Sequence, residues 1–546
     1  MSVSESNLKM EVSSPPFGLE EAYNTLLTPG ALSFIGDIAV KFDQRVEQML
    51  NDRILKKAHL DRSRGLPDFS PETSHIRTGS WKVDPVPRRL TNRHVDLGDV
   101  SPANTGHFVQ ALQSTAQGIQ TDFDDGHCPT WQTQLQGMFN IYQAVHDKLY
   151  ANMPSIDNLP VLMLRPRAWN MVEHNMLVYG KEVPGPIFDF GLLMFHTAKI
   201  LHAKESGPFF YLSKLEGYKE ARLWKDIFVF AEEKLGLRIG TIKATVLIEN
   251  IFAAFEMHEI LYELRYHSAG LNCGIWDYSA SFINKLGNRP EFVLPDRSKY
   301  VNMQRHFLKS YMALTIKTCH GRGCHATGGM SATLLPATLG PEYDRLMDVA
   351  CRAKLTEIKA GADGFMVYDI RLVKPMQKLF EMYAPAANQY SVLRPDVNAT
   401  KEDLLLMPSG GVTLAGLKHN IAVAVLFIES WLKGQGHFFY KGAIEDSATA
   451  EISRSQVWQW IRHRAHLEGN HQLITYSLVK DLCQQFLDRQ IQDNPYFSTT
   501  EQRKRLLRAA DIFRQLVTKT AFPEFITTYL SLENSFRTST WHASKL

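Results

Sequence analysis

No run in this chain approaches the roughly 20 consecutive apolar residues that a membrane-spanning helix needs, so no span is expected. The amino-terminal MSVSESNLKMEVSSPP carries no apolar core and does not read as a secretory signal. The six cysteines (Cys128, Cys273, Cys319, Cys324, Cys351, Cys483) include no CxxC pair, which argues against a disulfide frame or a zinc site. Charge of one sign is also missing. A formal net charge of +3 gives no basic surface for nucleic acid and none for an anionic membrane. No glycine-rich turn follows a strand-like run, so a dinucleotide-binding open sheet has no support. What remains is an ordinary globular composition, 44% hydrophobic and 21% charged, on 546 residues. That length accommodates a barrel of about 250 residues with helical parts on either side.

The organising stretch is 241–278. TIKATVLIEN places the apolar run Val246-Leu247-Ile248 before Glu249, as a strand covered on both faces would. A helical pattern over 255–267 follows, with Gly270 marking its end, and LNCGIWDY returns as a strand that delivers Asp277. If the two strands are parallel neighbours, Glu249 and Asp277 emerge together. Adjacent carboxylates repel and need a shared proton or a shared cation, for which Mg²⁺ with its oxygen ligands is suited. The plainer reading is two strand-end acids that cap loops or pair with nearby Lys or Arg.

Around this stretch runs a rhythm of short strand and helix. Strands are predicted at 95–100, 118–123, 161–165, 209–212, 243–248, 271–276, 323–326 and 364–367. Helices are predicted at 131–149, 188–203, 218–235, 255–267, 303–320 and 342–359. Eight such repeats predict a (β/α)₈ TIM barrel, whose site lies at the carboxyl ends of the strands. Those ends carry Asp122, Asp124 and Asp125, Arg165 and Arg167, Lys214, Glu249, Asp277, Gly328-Gly329 and Asp369. The acids could form a structural charge lattice. With the two arginines of RPRAW they also fit a Mg²⁺ site beside an anion clamp.

Residues 1–20 are expected to be disordered, and a helical pattern spans 19–60. Beyond the barrel, helices are expected over 413–433 and from 453 onward. Between them, in GQGHFFYKGAIEDSATAEISRSQVWQW, Asp446 either caps a helix or is carried by a lid that reaches elsewhere. His258, His267, His320 and His325 lack the company of a metal site, and Phe209-Phe210-Tyr211 reads as barrel packing. Ser544-Lys545-Leu546 has the form of a peroxisomal import address, with the import receptor as its partner.

The residues that carry a resemblance are now in view. GPFFYLSKLEGYKEARLWKDIFVFAEEKLGLRIGTIKATVLIENIFAAFEMHEI, RPRAWNMVEHNMLV, FDFGLLMFHTAKIL, LPDRS, IKTCHGRGCHATGGM and IEDSATAEISRSQVWQWIRH resemble malate synthases of the shorter, A-type form, from about residue 20 to the terminal SKL. The resemblance implies a TIM barrel with an amino-terminal helical clasp and a carboxyl-terminal helical plug, divided at 1–92, 93–384 and 385–546. It implies Mg²⁺-dependent Claisen condensation of acetyl-CoA with glyoxylate, then thioester hydrolysis to malate and CoA, in the peroxisome or glyoxysome. By motif, Glu249 and Asp277 would ligate Mg²⁺, and Asp446 would remove a methyl proton of acetyl-CoA. Arg165 would stabilise the enolate, and backbone from Gly274 through Ile275, Trp276 and Asp277 would hold glyoxylate. Asp124 and Asp125, where the family has Glu-Asp, would support metal-bound water.

The chain also departs from the family. GIWDYSAS stands for GRWDYIFS, so Ile275 replaces an arginine. Gly364-Phe365-Met366-Val367-Tyr368-Asp369-Ile370 stands for GTWVAHP, and Gly436-His437-Phe438-Phe439-Tyr440 for GCVPI. Ala168 and Ser213 replace a glycine and a proline. These changes leave two alternatives beside the main reading: the same chemistry on another 2-oxo acid or acyl-CoA, with Asp369 repelling or orienting a new group, and a non-catalytic peroxisomal protein that keeps the fold.

Overall fold

The computed structural model describes residues 9–532. Eight parallel strands close into a barrel in sequence order: β1 (Val95–Val100), β2 (Gly118–Asp122), β3 (Val161–Arg165), β4 (Phe209–Leu212), β5 (Lys243–Ile248), β6 (Ser268–Cys273), β7 (Ala326–Ser331) and β8 (Gly364–Val367). β8 pairs back onto β1, with Phe365 opposite Val95. The run Val246-Leu247-Ile248 is buried on both faces, which is why β5 reads as unbroken hydrophobicity. Pairing of Ile248 with Cys273 brings the ends of β5 and β6 level. Among the described residues no single helix is long and apolar enough to cross a membrane.

Several predicted boundaries move. The segment 271–276 is not one strand, because β6 begins at Ser268 and stops at Cys273. From Ile275 the chain runs in a helix to Leu286, so Asp277 sits on a first helical turn and not at a strand end. Gly270 ends no helix. It lies inside β6 with φ +110°, and a Cβ there would meet the His325 carbonyl oxygen at 2.0 Å. The helix before it is shorter than 255–267, a single 3₁₀ turn followed by Met257–Glu263. The seventh strand lies downstream of 323–326, since Gly323 takes the left-handed cap of helix His306–Arg322 and the Gly328-Gly329 pair runs within β7. Residues 10–12, expected to be disordered, form a strand antiparallel to Val172–Val178. The latter pairs in turn with Lys181–Pro184 across the two-residue loop Tyr179-Gly180, both at positive φ, as hairpins of this length require.

Outside the barrel, helix Pro29–Ser63 is capped by Thr28, whose hydroxyl accepts from Ala31 N at 3.3 Å, and lies on helices Gly185–Ala203 and Tyr218–Leu235. At the other end of the chain, helix Leu414–Leu432 packs on Ser447–Arg462 and Thr500–Thr518. The helix expected from 453 starts earlier, at Ser447, and ends at Arg462. Tyr476–Asp493, Thr500–Thr518 and Ile526–Ser531 follow as separate helices. Ser447–Arg462 also packs on Ile275–Leu286, and that contact sets the carboxyl-terminal helices over the barrel mouth. Ser544-Lys545-Leu546 lies outside the described residues.

Candidate active site

One cleft at the carboxyl ends of the strands is lined by Asp99, Asp125, Arg165, Glu249, Gly274, Ile275, Trp276, Asp277 and Asp446. Three of these acids converge: carboxylate oxygens of Asp125, Glu249 and Asp277 lie within 4.8 Å of one another, all buried. Glu249 is anchored by one oxygen, Oε1, which accepts from Lys214 N at 2.7 Å. Its other oxygen is next to Gly274, where a Cβ would intrude to 3.2 Å. Asp125, expected to stand behind the metal acids, is one of the converging three. Asp124 instead faces two cations, Lys214 Nζ at 2.7 Å and Arg165 Nη2 at 3.1 Å.

Arg165, the last residue of β3, spreads its guanidinium among the rim acids. Nη1 lies 3.4 Å from Asp122 and 3.9 Å from Asp99, while Nη2 contacts Asp124 and Asp125. Its Nε is buried without a partner, which leaves one donor uncommitted. Lys214, in a left-handed backbone conformation with φ 55°, reaches Asp125 at 2.8 Å and Asp277 at 3.8 Å. Arg167, expected to share in an anion clamp, does not reach this site. It is buried against Asp189 and Glu173, each at 2.8 Å, and ties β3 to helix Gly185–Ala203. Asp369 is also spoken for: it accepts from Leu335 N and from Arg371, and so orients no group in the cleft.

Charge decides what this cleft lacks. Among the described residues Asp99, Asp122, Asp124, Asp125, Glu249, Asp277 and Asp446 outnumber the cations that face them, Arg165, Lys214 and, toward Asp446, Arg297. Burial therefore raises Glu249 and, more strongly, Asp277. Lys214 opposes the rise in both, and Asp125 adds to it. Asp122 is pushed up to about 6 by burial against the pull of Arg165. Burial acts the same way on Asp125, but Arg165 and Lys214 outweigh it and hold that carboxyl well below the usual range. Such an excess of buried negative charge calls for protons or a cation, and an all-carboxylate donor set suits a hard divalent ion.

Asp446 satisfies both sequence readings at once. It caps helix Ser447–Arg462, accepting from Thr449 N at 2.9 Å, and it still lines the cleft. The glycine-punctuated segment before it is a hairpin, Phe438–Tyr440 with Ala443–Glu445. Leu334 N to Gly442 O at 2.9 Å and Ile444 N to Ala332 O at 3.0 Å fix it to the segment after β7. Gly274, expected to join in holding the substrate, donates its amide to Tyr311 Oη at 3.0 Å. Ile275, Trp276 and Asp277 open helix Ile275–Leu286, where first-turn N–H groups and the helix dipole favour a bound carboxylate. Arg165, Glu249, Asp277 and Asp446 thus share one cavity. Asp99 was missed because VDLGDV offers two acids, and nothing in the sequence separates Asp96, paired with Arg93 at the other end of β1, from the acid at the rim. The four histidines set aside above each have a structural partner, such as Glu232 for His267 and Asp363 for His320.

Comparison with known proteins gives two family matches: the malate synthase TIM barrel domain over residues 161–407 and the malate synthase C-terminal domain over 411–533. The chain is 41% identical over 515 residues to a malate synthase of Myxococcus xanthus (strain DK1622), covering 92% of this chain and 93% of that protein. It is 36% identical over 527 residues to a malate synthase of Dictyostelium discoideum, covering 93% and 95%. A glyoxysomal malate synthase of Candida tropicalis is 36% identical over 517 residues, with 91% of each covered.

Proposed function

The chain belongs to the malate synthase family, and from that premise we propose how its cleft condenses acetyl-CoA with glyoxylate and hydrolyses the thioester to malate and CoA. The observation that carries the assignment of roles is the meeting of Asp446, Arg165 and the three converging carboxylates in one buried cavity. Asp446 takes a methyl proton from acetyl-CoA, and the C–H electron pair moves toward the thioester oxygen. Burial and Asp125 push its carboxyl up, and its place at a helix N-terminus, with the Thr449 amide, opposes that rise and fixes its direction. Arg165 remains protonated and faces the developing oxyanion in a site largely closed to water, where a fixed cation acts most strongly. The N–H groups at Ile275, Trp276 and Asp277 orient the glyoxylate carboxylate.

Asp125, Glu249 and Asp277 would hold Mg²⁺, which when bound supplies Lewis-acid polarisation of the aldehyde oxygen. Asp124 keeps Lys214 and Arg165 oriented at the edge of that group.

The test is CoA release from acetyl-CoA with Mg²⁺ and glyoxylate, matched by malate formation. No thiol release with any 2-oxo acid or acyl-CoA would sink the enzymatic reading and leave the fold-only alternative. A second reading, another 2-oxo acid or acyl-CoA, is favoured by Leu247, Ile275, Met330, Met366 and Ile444 on the cleft wall. Faster turnover with a bulkier partner in the same assay would select it. Several relatives are named glyoxysomal. We assign this chain to the peroxisome through Ser544-Lys545-Leu546 and the import receptor. A fusion lacking Leu546 that still enters peroxisomes would overturn that assignment.

A further inference from the structure

Asp99 lies at the rim end of β1, 4% exposed, in the left-handed region with φ 52°. Such a conformation is uncommon outside glycine and clusters at functional sites. Its amide donates to Gln120 Oε1 at 3.3 Å. Its Oδ2 is buried with no donor, and Oδ1 is 3.9 Å from Arg165 Nη1, beyond hydrogen-bond distance. The group within hydrogen-bonding reach is the carboxyl of Asp446. Two carboxylates at that separation can bond only if one of them carries a proton.

The surroundings settle which one. Burial and Asp125 raise Asp446, but it accepts the Thr449 amide and sits at the positive end of a helix, so of the two it ionises first. Asp99 has neither advantage. The charged and titratable groups that face it are Asp446, Asp122 on β2, Arg165 on β3 and Tyr368 just after β8. Arg165 Nη1 points toward Asp99 and Asp122 while Nη2 points toward Asp124 and Asp125, so the guanidinium stands between Asp99 and the converging acids.

We propose that Asp99 is a positioning residue for the proton-abstracting step: as a neutral acid it donates a hydrogen bond to Asp446, fixes that carboxylate and holds it ionised. This rests on the role given to Asp446 above. Removing the donor should make Asp446 harder to ionise, whereas removing an anion from the same place would make it easier. The sign of the change is therefore diagnostic.

The experiment is the pH profile of kcat/KM for acetyl-CoA, with Mg²⁺ and glyoxylate saturating, for the full chain and two variants. Asp99→Ala should move the acid limb up by about one pH unit and lower kcat about tenfold, with KM within about threefold. Asp99→Asn keeps a donor and the shape, so its limb should stay within about 0.3 unit and most of the lost kcat should return. A downward shift in Asp99→Asn would mean that Asp99 is an anion and would overturn the proposal, even if the alanine variant fails to fold. An unmoved limb in folded Asp99→Ala would overturn it too. Asp446→Asn separates the two readings: turnover surviving there refutes Asp446 as the base, while an inert Asp446→Asn beside an unmoved Asp99→Ala refutes only the role of Asp99.

Discussion

The ammonium of Lys214 stands 2.8 Å from Asp125 Oδ1, against one of the three carboxylates that converge within 4.8 Å. A cation fixed there competes with Mg²⁺ for the same oxygens. Lys214→Met keeps the backbone amide that anchors Glu249 and removes one positive charge. Mg²⁺ should then bind more tightly, by about tenfold or somewhat less, given charges a few ångströms apart in a partly screened site. Isothermal titration of the metal-free protein measures it directly. Weaker binding would mean that Lys214 organises the acids more than it competes for them.

Replacing the base tests chemistry apart from folding. Asparagine caps helices about as well as aspartate, so Asp446→Asn should leave the start of helix Ser447–Arg462 intact. Turnover should fall by about 10²- to 10⁴-fold, the usual share of a general base, and Mg²⁺ affinity should stay within about twofold. A variant that keeps a tenth of the activity would show that another group takes the proton.

Protons and Mg²⁺ should compete for the buried acids of the cleft. Burial raises the Asp122 carboxyl to about 6, above the roughly 3.9 of an unfolded aspartate. A raised carboxyl contributes stability that is fully present below the unfolded value and is lost as pH rises through 6. Glu249, Asp277 and Asp99 are raised in the same direction. His107, His127, His258, His325 and His419, held by burial at about 3 to 4, pull the opposite way, because they gain a proton on unfolding below about 6.5. The diagnostic is therefore the gain in Tm from Mg²⁺, which should be larger at pH 7.5, where fewer protons compete for the acids. Scanning calorimetry at the two pH values, with and without Mg²⁺, decides the matter. A gain from Mg²⁺ that grows toward pH 5.5 would contradict the link.

Much of this was legible in the chain itself. The unbroken apolar run of β5 and the acid that closes it follow from burial on both faces, and the eight-fold rhythm follows from parallel strands needing helical crossovers. Asp277 was placed next to Glu249 correctly but on the wrong element. LNCGIWDY is too short to distinguish a strand from a helix start, and only the packing of Ser447–Arg462 on the following residues decides it. Asp125 and Asp124 could not be ranked, since adjacent residues on a loop differ by how the backbone turns. Arg165 and Arg167 stand two apart, and the side on which Asp189 waits is a tertiary fact. Asp99 needed the same kind of information: its significance lies in Asp446, which is remote in sequence and meets it only across the barrel mouth.

The amino-terminal helix is coupled to the site through one buried arginine. Arg53, on helix Pro29–Ser63, forks onto Glu220 with Nε at 2.8 Å and Nη2 at 2.7 Å, and the same Nη2 donates to the Lys214 carbonyl at 2.9 Å. Both partners of the ion pair are buried, so deleting one strands the other in a low-dielectric setting at a cost of about 3–5 kcal/mol. Arg53→Met should unfold at correspondingly lower denaturant. Adding Glu220→Gln should restore part of that loss, because the uncompensated charge goes with it. The bond to Lys214 predicts something a purely structural role would not. The double variant, even where its stability has returned, should still bind Mg²⁺ with altered affinity, because the left-handed backbone at Lys214 has lost its outside tether. Denaturant midpoints and metal titration on the same three proteins separate the two effects, and an unchanged Mg²⁺ affinity in the double variant would confine Arg53 to holding the helix on the barrel.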